Sequence, residues 1–278
     1  MKFAVYGLHR GSSADPETLA RRARLAEDVG FEALWVGDHI ALPAGGYDPP
    51  GQPRLEAVVA LAHLAALTRR IRLGVGVIVL PQRQPVLLAK QLTSIDHLSG
   101  GRLTVGIGVG WAEPEFRAMG VPMSERAART DEYLAAMLAL WEQPEPRFAG
   151  RFVSFDGVTQ LPRPVQRPHP PVIVGGHAPA SYRRAVQSGH GWFGWDLDPG
   201  QVATTLATIR ETATRYERPA ALGELEITIT PPAVPDLDTA RRYAEAGVHR
   251  LVLQPPDMDG RAMDELISTV GDTLIGNI

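Results

Sequence analysis

At 278 residues, with 44% of positions hydrophobic, the chain is long enough to bury a large core without crosslinks. It contains no cysteine, which excludes disulfides, thiolate nucleophiles, iron–sulfur clusters and cysteine-ligated zinc. A formal net charge of -3 with scattered basic residues shows no nucleic-acid footprint, and Lys2 and Lys90 are the only lysines, which leaves little for Schiff-base chemistry.

The run Met1 to Gly7 is patterned as a strand and not as a secretory leader, and no apolar run approaches a membrane span, so the expected location is the cytoplasm. A first helix follows, with Asp15 as cap, Pro16 at the first helical position, Leu19, Ala23, Ala26 and Val29 on one face, and Gly30 as terminator. The second strand is Ala33 to Gly37. Leu42 to Pro53, rich in proline and glycine, reads as a long loop, either a rim or lid or a passive surface connection. Helices are expected at Leu55 to Leu67, Pro85 to Leu98 and Arg126 to Trp141, around strands at Ile71 to Leu80 and Leu103 to Val109. Phe152 to Phe155 and Val158 to Leu161 flank Asp156-Gly157, a hairpin signal, so a β-hairpin is expected between the fourth of these helices and the fifth strand. Pro162 to Pro171 then runs extended into that strand, Val172 to Gly175. Strands at Gly191 to Phe193, Leu225 to Thr230 and Arg250 to Leu253 alternate with helices at Tyr182 to Ser188, Gln201 to Tyr216, Thr239 to Ala246 and Met263 to Thr273. Eight strands with interleaved helices predict one (β/α)8 TIM barrel spanning residues 1–278, with an open doubly wound sheet as the alternative.

In such a barrel the C-terminal ends of the strands supply the chemistry. Asp38 and His39 close the second strand and are the leading acid–base pair; the bland reading of an Asp-His dipeptide is a turn or cap. Since consecutive strand residues face opposite sides, both line the lumen only if the strand has ended or bulged. Val75-Gly76-Val77 and Gly106-Ile-Gly108-Val109-Gly110 end two neighbouring strands with repeated glycines, as a flat ligand lying against the main chain would require. The second run lacks the last glycine of a dinucleotide fingerprint, where Trp111 stands. Gly175 and Gly176, followed by His177, can present N–H groups to a phosphate, or form a tight turn. Trp111, Trp192, Phe193 and Trp195 are candidate walls of an apolar substrate pocket, the alternative being core packing. Glu113 and Glu115 suit the first turn of a helix. The histidines show no metal-ligand spacing, so no metal is assigned, and no Gly-x-Ser-x-Gly elbow is present.

Trp35 to His39, Gly74 to Val77, Ser99 to Leu103, Gly106 to Trp111, Glu115 to Gly120 and Val172 to Gly176, taken in order, resemble the luciferase-like flavin and deazaflavin oxidoreductases, and particularly their F420-dependent branch. The resemblance implies a (β/α)8 barrel with a tricyclic ring at its mouth and a non-prolyl cis peptide at Gly76-Val77 behind the ring. It implies Asp38 and His39 beside the ring, the Gly106 to Gly110 backbone near the cofactor, and Gly175-Gly176 near its phosphate-bearing tail. The implied activity is hydride transfer between the C5 of coenzyme F420 and a small, fairly apolar organic substrate, with His39 as proton partner. FMN in place of F420 implies an oxygen-using monooxygenase served by a flavin reductase. Trp111 stands where sugar-phosphate dehydrogenases of the family carry an acidic residue, which disfavours that substrate. A homodimer is the family expectation. A non-catalytic deazaflavin or flavin carrier and a nicotinamide-dependent dehydrogenase on an open sheet are the competing readings.

Overall fold

A computed structural model of the chain describes residues 1–43, 51–257 and 260–278. In chain order it contains β1 (Lys2–Tyr6), α1 (Pro16–Val29), β2 (Ala33–Val36), α2 (Ala57–Leu67), β3 (Arg72–Val75), β4 (Ile78–Val79), α3 (Pro85–Ser99), β5 (Leu103–Gly108), α4 (Glu113–Ala118) and α5 (Arg126–Glu142). There follow β6 (Phe148–Ala149), β7 (Ser154–Phe155), β8 (Val172–Gly175), α6 (Pro179–Ser188), β9 (Gly191–Trp195), α7 (Pro199–Arg215), β10 (Glu226–Thr230), α8 (Leu237–Glu245), β11 (Arg250–Leu253) and α9 (Ala262–Thr273). Parallel pairing runs β3-β2-β1-β11-β10-β9-β8-β5, and β3 pairs back onto β5, so the sheet closes. With β4 continuing the wall begun by β3, this is the eight-walled (β/α)8 barrel.

Side-chain alternation divides the strands between two cores. Phe3, Val5, Leu34, Val36, Leu73, Val75 and Val174 point outward into the layer shared with the helices. Ala4, Tyr6, Ala33, Trp35, Ile173, Phe193 and Val252 fill the lumen, with Val77 packed against them. The lumen is closed from below by charge: the Arg250 guanidinium bonds both oxygens of Glu32 at 2.8 Å and also pairs with Glu226, which accepts from Lys2 at 2.8 Å. Burial alone lowers the Arg250 pKa, but Glu32 and Glu226 outweigh it and hold the guanidinium charged. A plugged lower end leaves the upper, C-terminal end as the place for a ligand.

The helices start and stop as their sequences dictate. Asp15 accepts from the Thr18 amide at 2.9 Å to cap α1. Gly30 ends α1 with φ 102, a left-handed conformation that costs glycine nothing.

Two expectations need correction. The third strand does not run unbroken from Ile71 to Leu80: it stops at Val75 and resumes at Ile78, on either side of the cis Gly76–Val77 peptide that the family resemblance implied. The hairpin lies one turn earlier than Asp156-Gly157. Phe148 pairs with Phe155 and Ala149 with Ser154, around a turn at Gly150 to Val153. The cause lies in α5, where Glu132 accepts from the Arg151, Phe152 and Val153 amides at 2.9, 2.6 and 2.8 Å. Among the described residues no helix is long and apolar enough to cross a membrane. The suggested lid falls largely on residues 44–50, outside the described residues.

Candidate active site

The glycines at the strand ends serve the protein's own packing first. A Cβ on Gly106 would lie 1.9 Å from the Val75 carbonyl oxygen, one on Gly108 2.5 Å from Val77 Cγ2, and one on Gly175 2.7 Å from Val77 Cγ1. A Cβ on Gly74 or Gly76 would meet the Trp35 indole at 2.5 and 2.9 Å. Glycine on β3, β5 and β8 thus admits the Trp35 ring and the Val77 bulge. It is the bulge that then faces upward: Gly76 and Val77 are half-buried while Val75 and Ile78 on either side are buried. Beside it the end of β5 is also open, with Val109 and Gly110 half-buried.

Asp38 holds this bulge and does not line the mouth. Its side chain is 1% exposed; Oδ2 accepts from the Val79 amide at 3.0 Å and from Arg83 Nε at 3.3 Å, and Oδ1 pairs with the same guanidinium. Arg83 turns its other nitrogen to Glu56 at 2.6 Å. Burial pushes the Asp38 carboxyl up, against the pull of Arg83. An acid–base or ligand-binding role for Asp38 does not fit a carboxylate sealed in an ion pair, and the dipeptide divides as strand alternation requires, Asp38 into the wall and His39 upward.

His39 keeps a partly open ring at 20% exposure, and its partner is Glu115, whose Oε2 stands 3.2 Å from Nδ1. Glu115 also accepts from the Ile40 and Ala41 amides at 2.6 and 3.1 Å, and Gln82 Nε2 lies 3.4 Å from Oε2. Burial raises this carboxyl, but the hydrogen bonds from His39, Ala41 and Ile40 prevail and leave it below the usual carboxylate value. Sequence reasoning placed Glu115 at a helix start and missed this role. The helix is there, but nothing in linear spacing links position 115 to position 39. Trp111 lies edge-on to His39, ring centroids 5.6 Å apart, and is half exposed at the mouth.

On the opposite side, Trp195 meets Tyr6 edge-on at 5.3 Å and Phe193 at 6.2 Å. Trp192 does not join them. It is fully buried on the outer face of β9, where its indole N–H donates to the Gly176 carbonyl at 2.9 Å and Tyr182 packs 5.8 Å away, because residues 192 and 193 point to opposite faces of one strand. His177 is exposed and its Nε2 accepts from the Trp195 amide at 3.3 Å. Gly176 has φ 121, and no side chain caps the N-terminus of α6 that follows.

His9, after β1, went unassigned in the sequence. It is fully buried; its Nε2 accepts from the Gly37 amide at 3.2 Å with Arg54 Nη1 3.3 Å away, and its Nδ1 has no hydrogen-bond partner among the described residues. Burial, then the charges of Arg54, Arg10 and His39, hold its pKa well below the ordinary value. Thr230 Oγ1, at the upper end of β10, is likewise buried without a partner among the described residues.

These features fit a ring-bearing cofactor. Val77 and Gly76 give an apolar backstop and His39 a polar neighbour; at α6, Pro179 has no N–H and the Ser181 and Tyr182 amides bond the Ala178 carbonyl, which leaves the Ala180 amide for an anionic tail. Among the described residues no group of three or more His, Asp or Glu is placed to hold a metal.

Comparison with known proteins agrees with this architecture. The family model described as luciferase-like monooxygenase matches residues 1–268. An uncharacterised protein of Mycobacterium tuberculosis is 34% identical over 267 residues, 91% of this chain and 92% of that one. The FMNH2-dependent dimethylsulfone monooxygenase of Pseudomonas putida is 34% identical over 180 residues, 64% of this chain and 48% of that protein. Among solved structures, an F420-dependent secondary alcohol dehydrogenase in complex with an F420–acetone adduct superposes with a TM-score of 0.82 at 17% identity, covering 100% of this chain and 99% of that one. A whole-length family match, a closed barrel and a mouth built on a strand bulge lead to one assignment: the chain belongs to the luciferase-like monooxygenase family.

Proposed function

We propose that this barrel is an F420-dependent oxidoreductase that moves a hydride between deazaflavin C5 and a small, fairly apolar organic substrate. The observation that carries the reading is the pairing of two unlike groups at one mouth: the half-buried Gly76–Val77 bulge and, beside it, a histidine whose Nδ1 is engaged by a buried carboxylate. When bound, the deazaflavin supplies two-electron hydride chemistry at C5. Gly76 and Val77 form the wall behind the ring, and Val77 cannot retreat, since its methyls already fill the space above Gly108 and Gly175. Trp111 and Trp195, both partly exposed, wall the mouth with apolar surface and exclude water from it. His39 moves the proton that must accompany the hydride, and Nε2 is the nitrogen left for this when Nδ1 faces Glu115. The Ala180 amide at the start of α6, with the turn at Gly175, Gly176 and His177 before it, is the proposed contact for the anionic tail.

A second reading has its own support in the Pseudomonas putida relative, whose cofactor is FMNH2. With a flavin at the same mouth, the chemistry is oxygen activation and a flavin reductase becomes the partner. Titrating the protein with coenzyme F420 and separately with FMN, each in its oxidised form and, anaerobically, in its reduced form, and following tryptophan quenching, decides between the two. Tighter binding of F420 supports the first reading, tighter binding of FMN the second, and failure to bind either ligand overturns both.

A further inference from the structure

Glu115 carries more structure than a helix-starting residue needs. An ionised carboxylate offers about four acceptor positions and no donor. All four are taken, two by the Ile40 and Ala41 amides on Oε1 and two by His39 Nδ1 and Gln82 Nε2 on Oε2. Because a hydrogen bond needs one proton between its partners, a carboxylate held ionised places that proton on Nδ1 of His39. The same four bonds tie together three segments that lie far apart in the sequence: residues 39–41 after β2, Gln82 in the turn after the bulge, and α4.

We propose that Glu115 is a positioning residue, which locks His39 in the tautomer with the proton on Nδ1 and fixes its unprotonated Nε2 in place relative to the Gly76–Val77 bulge. The catalytic consequence rests on His39 being the proton partner. The tautomer itself does not depend on that reading. The Glu115 carboxylate faces the His39 ring at 3.2 Å, and His9, which interacts electrostatically with the same ring, is held neutral by burial.

Glu115→Gln separates this role from that of a plain cap. The glutamine carbonyl can still accept from Ile40 and Ala41, which preserves the turn. Its NH2 group then meets Nδ1 of His39 and the NH2 of Gln82, setting donor against donor, and the His39 proton must move to Nε2. Nitrogen-15 NMR of the imidazole in the cofactor-free protein should therefore show the Nδ1–H form in the wild type and the Nε2–H form in Glu115→Gln. A wild type that carries the proton on Nε2 overturns the proposal without recourse to any variant, which covers the case in which the variant does not fold. In turnover, kcat should fall about 10- to 100-fold with a smaller change in KM. A folded Glu115→Gln protein with the wild-type tautomer and an unchanged kcat reduces Glu115 to a structural cap. If instead His39→Ala turns over normally, the proposed proton role of His39 fails, and the NMR result on Glu115 stands by itself.

Discussion

A methyl group placed on Gly108 would stand 2.5 Å from Cγ2 of Val77, closer than real Cβ atoms approach any neighbour. The glycine of one strand and the valine of its neighbour's bulge therefore share a single volume. Gly108→Ala should cost about 1–3 kcal/mol by overpacking. Val77→Ala in the same chain should return most of that, giving a coupling energy of about 1 kcal/mol or more in urea denaturation. Gly106→Ala should resist the same rescue, since its Cβ would strike the Val75 carbonyl oxygen at 1.9 Å, and backbone cannot be trimmed. Additive effects at Gly108 and Val77 would remove the shared-volume account.

Asp38 is placed to hold structure and not to exchange protons. Asp38→Ala leaves Arg83 with Glu56 alone and the Val79 amide without an acceptor. Loss of one partner from a buried pair costs about 3–5 kcal/mol. The expected outcome is a large fall in the urea midpoint and weakened cofactor binding through a loosened bulge. A variant of wild-type stability with turnover abolished would return Asp38 to the chemistry.

His39→Ala should lower turnover about 100-fold or more, the usual contribution of a positioned acid or base, with the cofactor dissociation constant nearly unchanged. The two tryptophans separate in the same assays. Trp111→Ala, at the exposed mouth, should raise KM and leave the melting temperature close to wild type. Trp192→Ala, in the buried outer layer, should cost about 3–5 kcal/mol of stability. Equal stability losses at the two positions would contradict the placement of Trp111 at the exposed mouth and Trp192 in the buried outer layer.

Stability should fall as the pH drops from neutral toward 4. Burial, then the charges of His169 and Arg218, hold the His190 pKa down to about 4, and His9 is held well below its ordinary value. In the unfolded chain both titrate near 6.5. Between those limits the unfolded state binds more protons, so each histidine removes up to about 1.4 kcal/mol per pH unit of acidification. Below the ordinary carboxylate range a second loss begins, because Asp264, held to about 2 by Arg21 and Arg22 against the opposing effect of burial, must then be protonated. Urea denaturation across this range tests the sign. His190→Gln, which keeps an acceptor for the Val172 amide, should flatten the slope between pH 6.5 and 4.5 by about one proton. A slope unaffected by that change would mean that His190 is protonated in the folded protein.

The eight strands and the flanking helices were legible in the sequence because their signals are local. Alternation of apolar residues, Asp15 and Pro16 at a helix start and Gly30 at its end act within a few residues of themselves. The end of the barrel at which the candidate residues gather followed from the strand order, and the ordered motifs implied the cis peptide at Gly76–Val77. What the strand-end glycines make room for was not legible: the sequence reads them as space for a ligand, whereas Trp35 and Val77 occupy that space. Nor could the sequence separate Trp192 from Trp195, since the phase of β9 decides which of its residues reach the lumen. The hairpin register went to Glu132 and the orientation of His39 to Glu115, both supplied by helices elsewhere in the chain. A side chain's partner across the fold depends on how strands and helices are brought together in space, and that information is absent from the residues next to it. The sequence alone determined the alternation of strands and helices and put the candidate residues at the strand ends; only the tertiary structure decided that the sheet closes, that Asp38 is a clamp, that His39 is the more exposed member of the pair, and that Glu115 stands behind it.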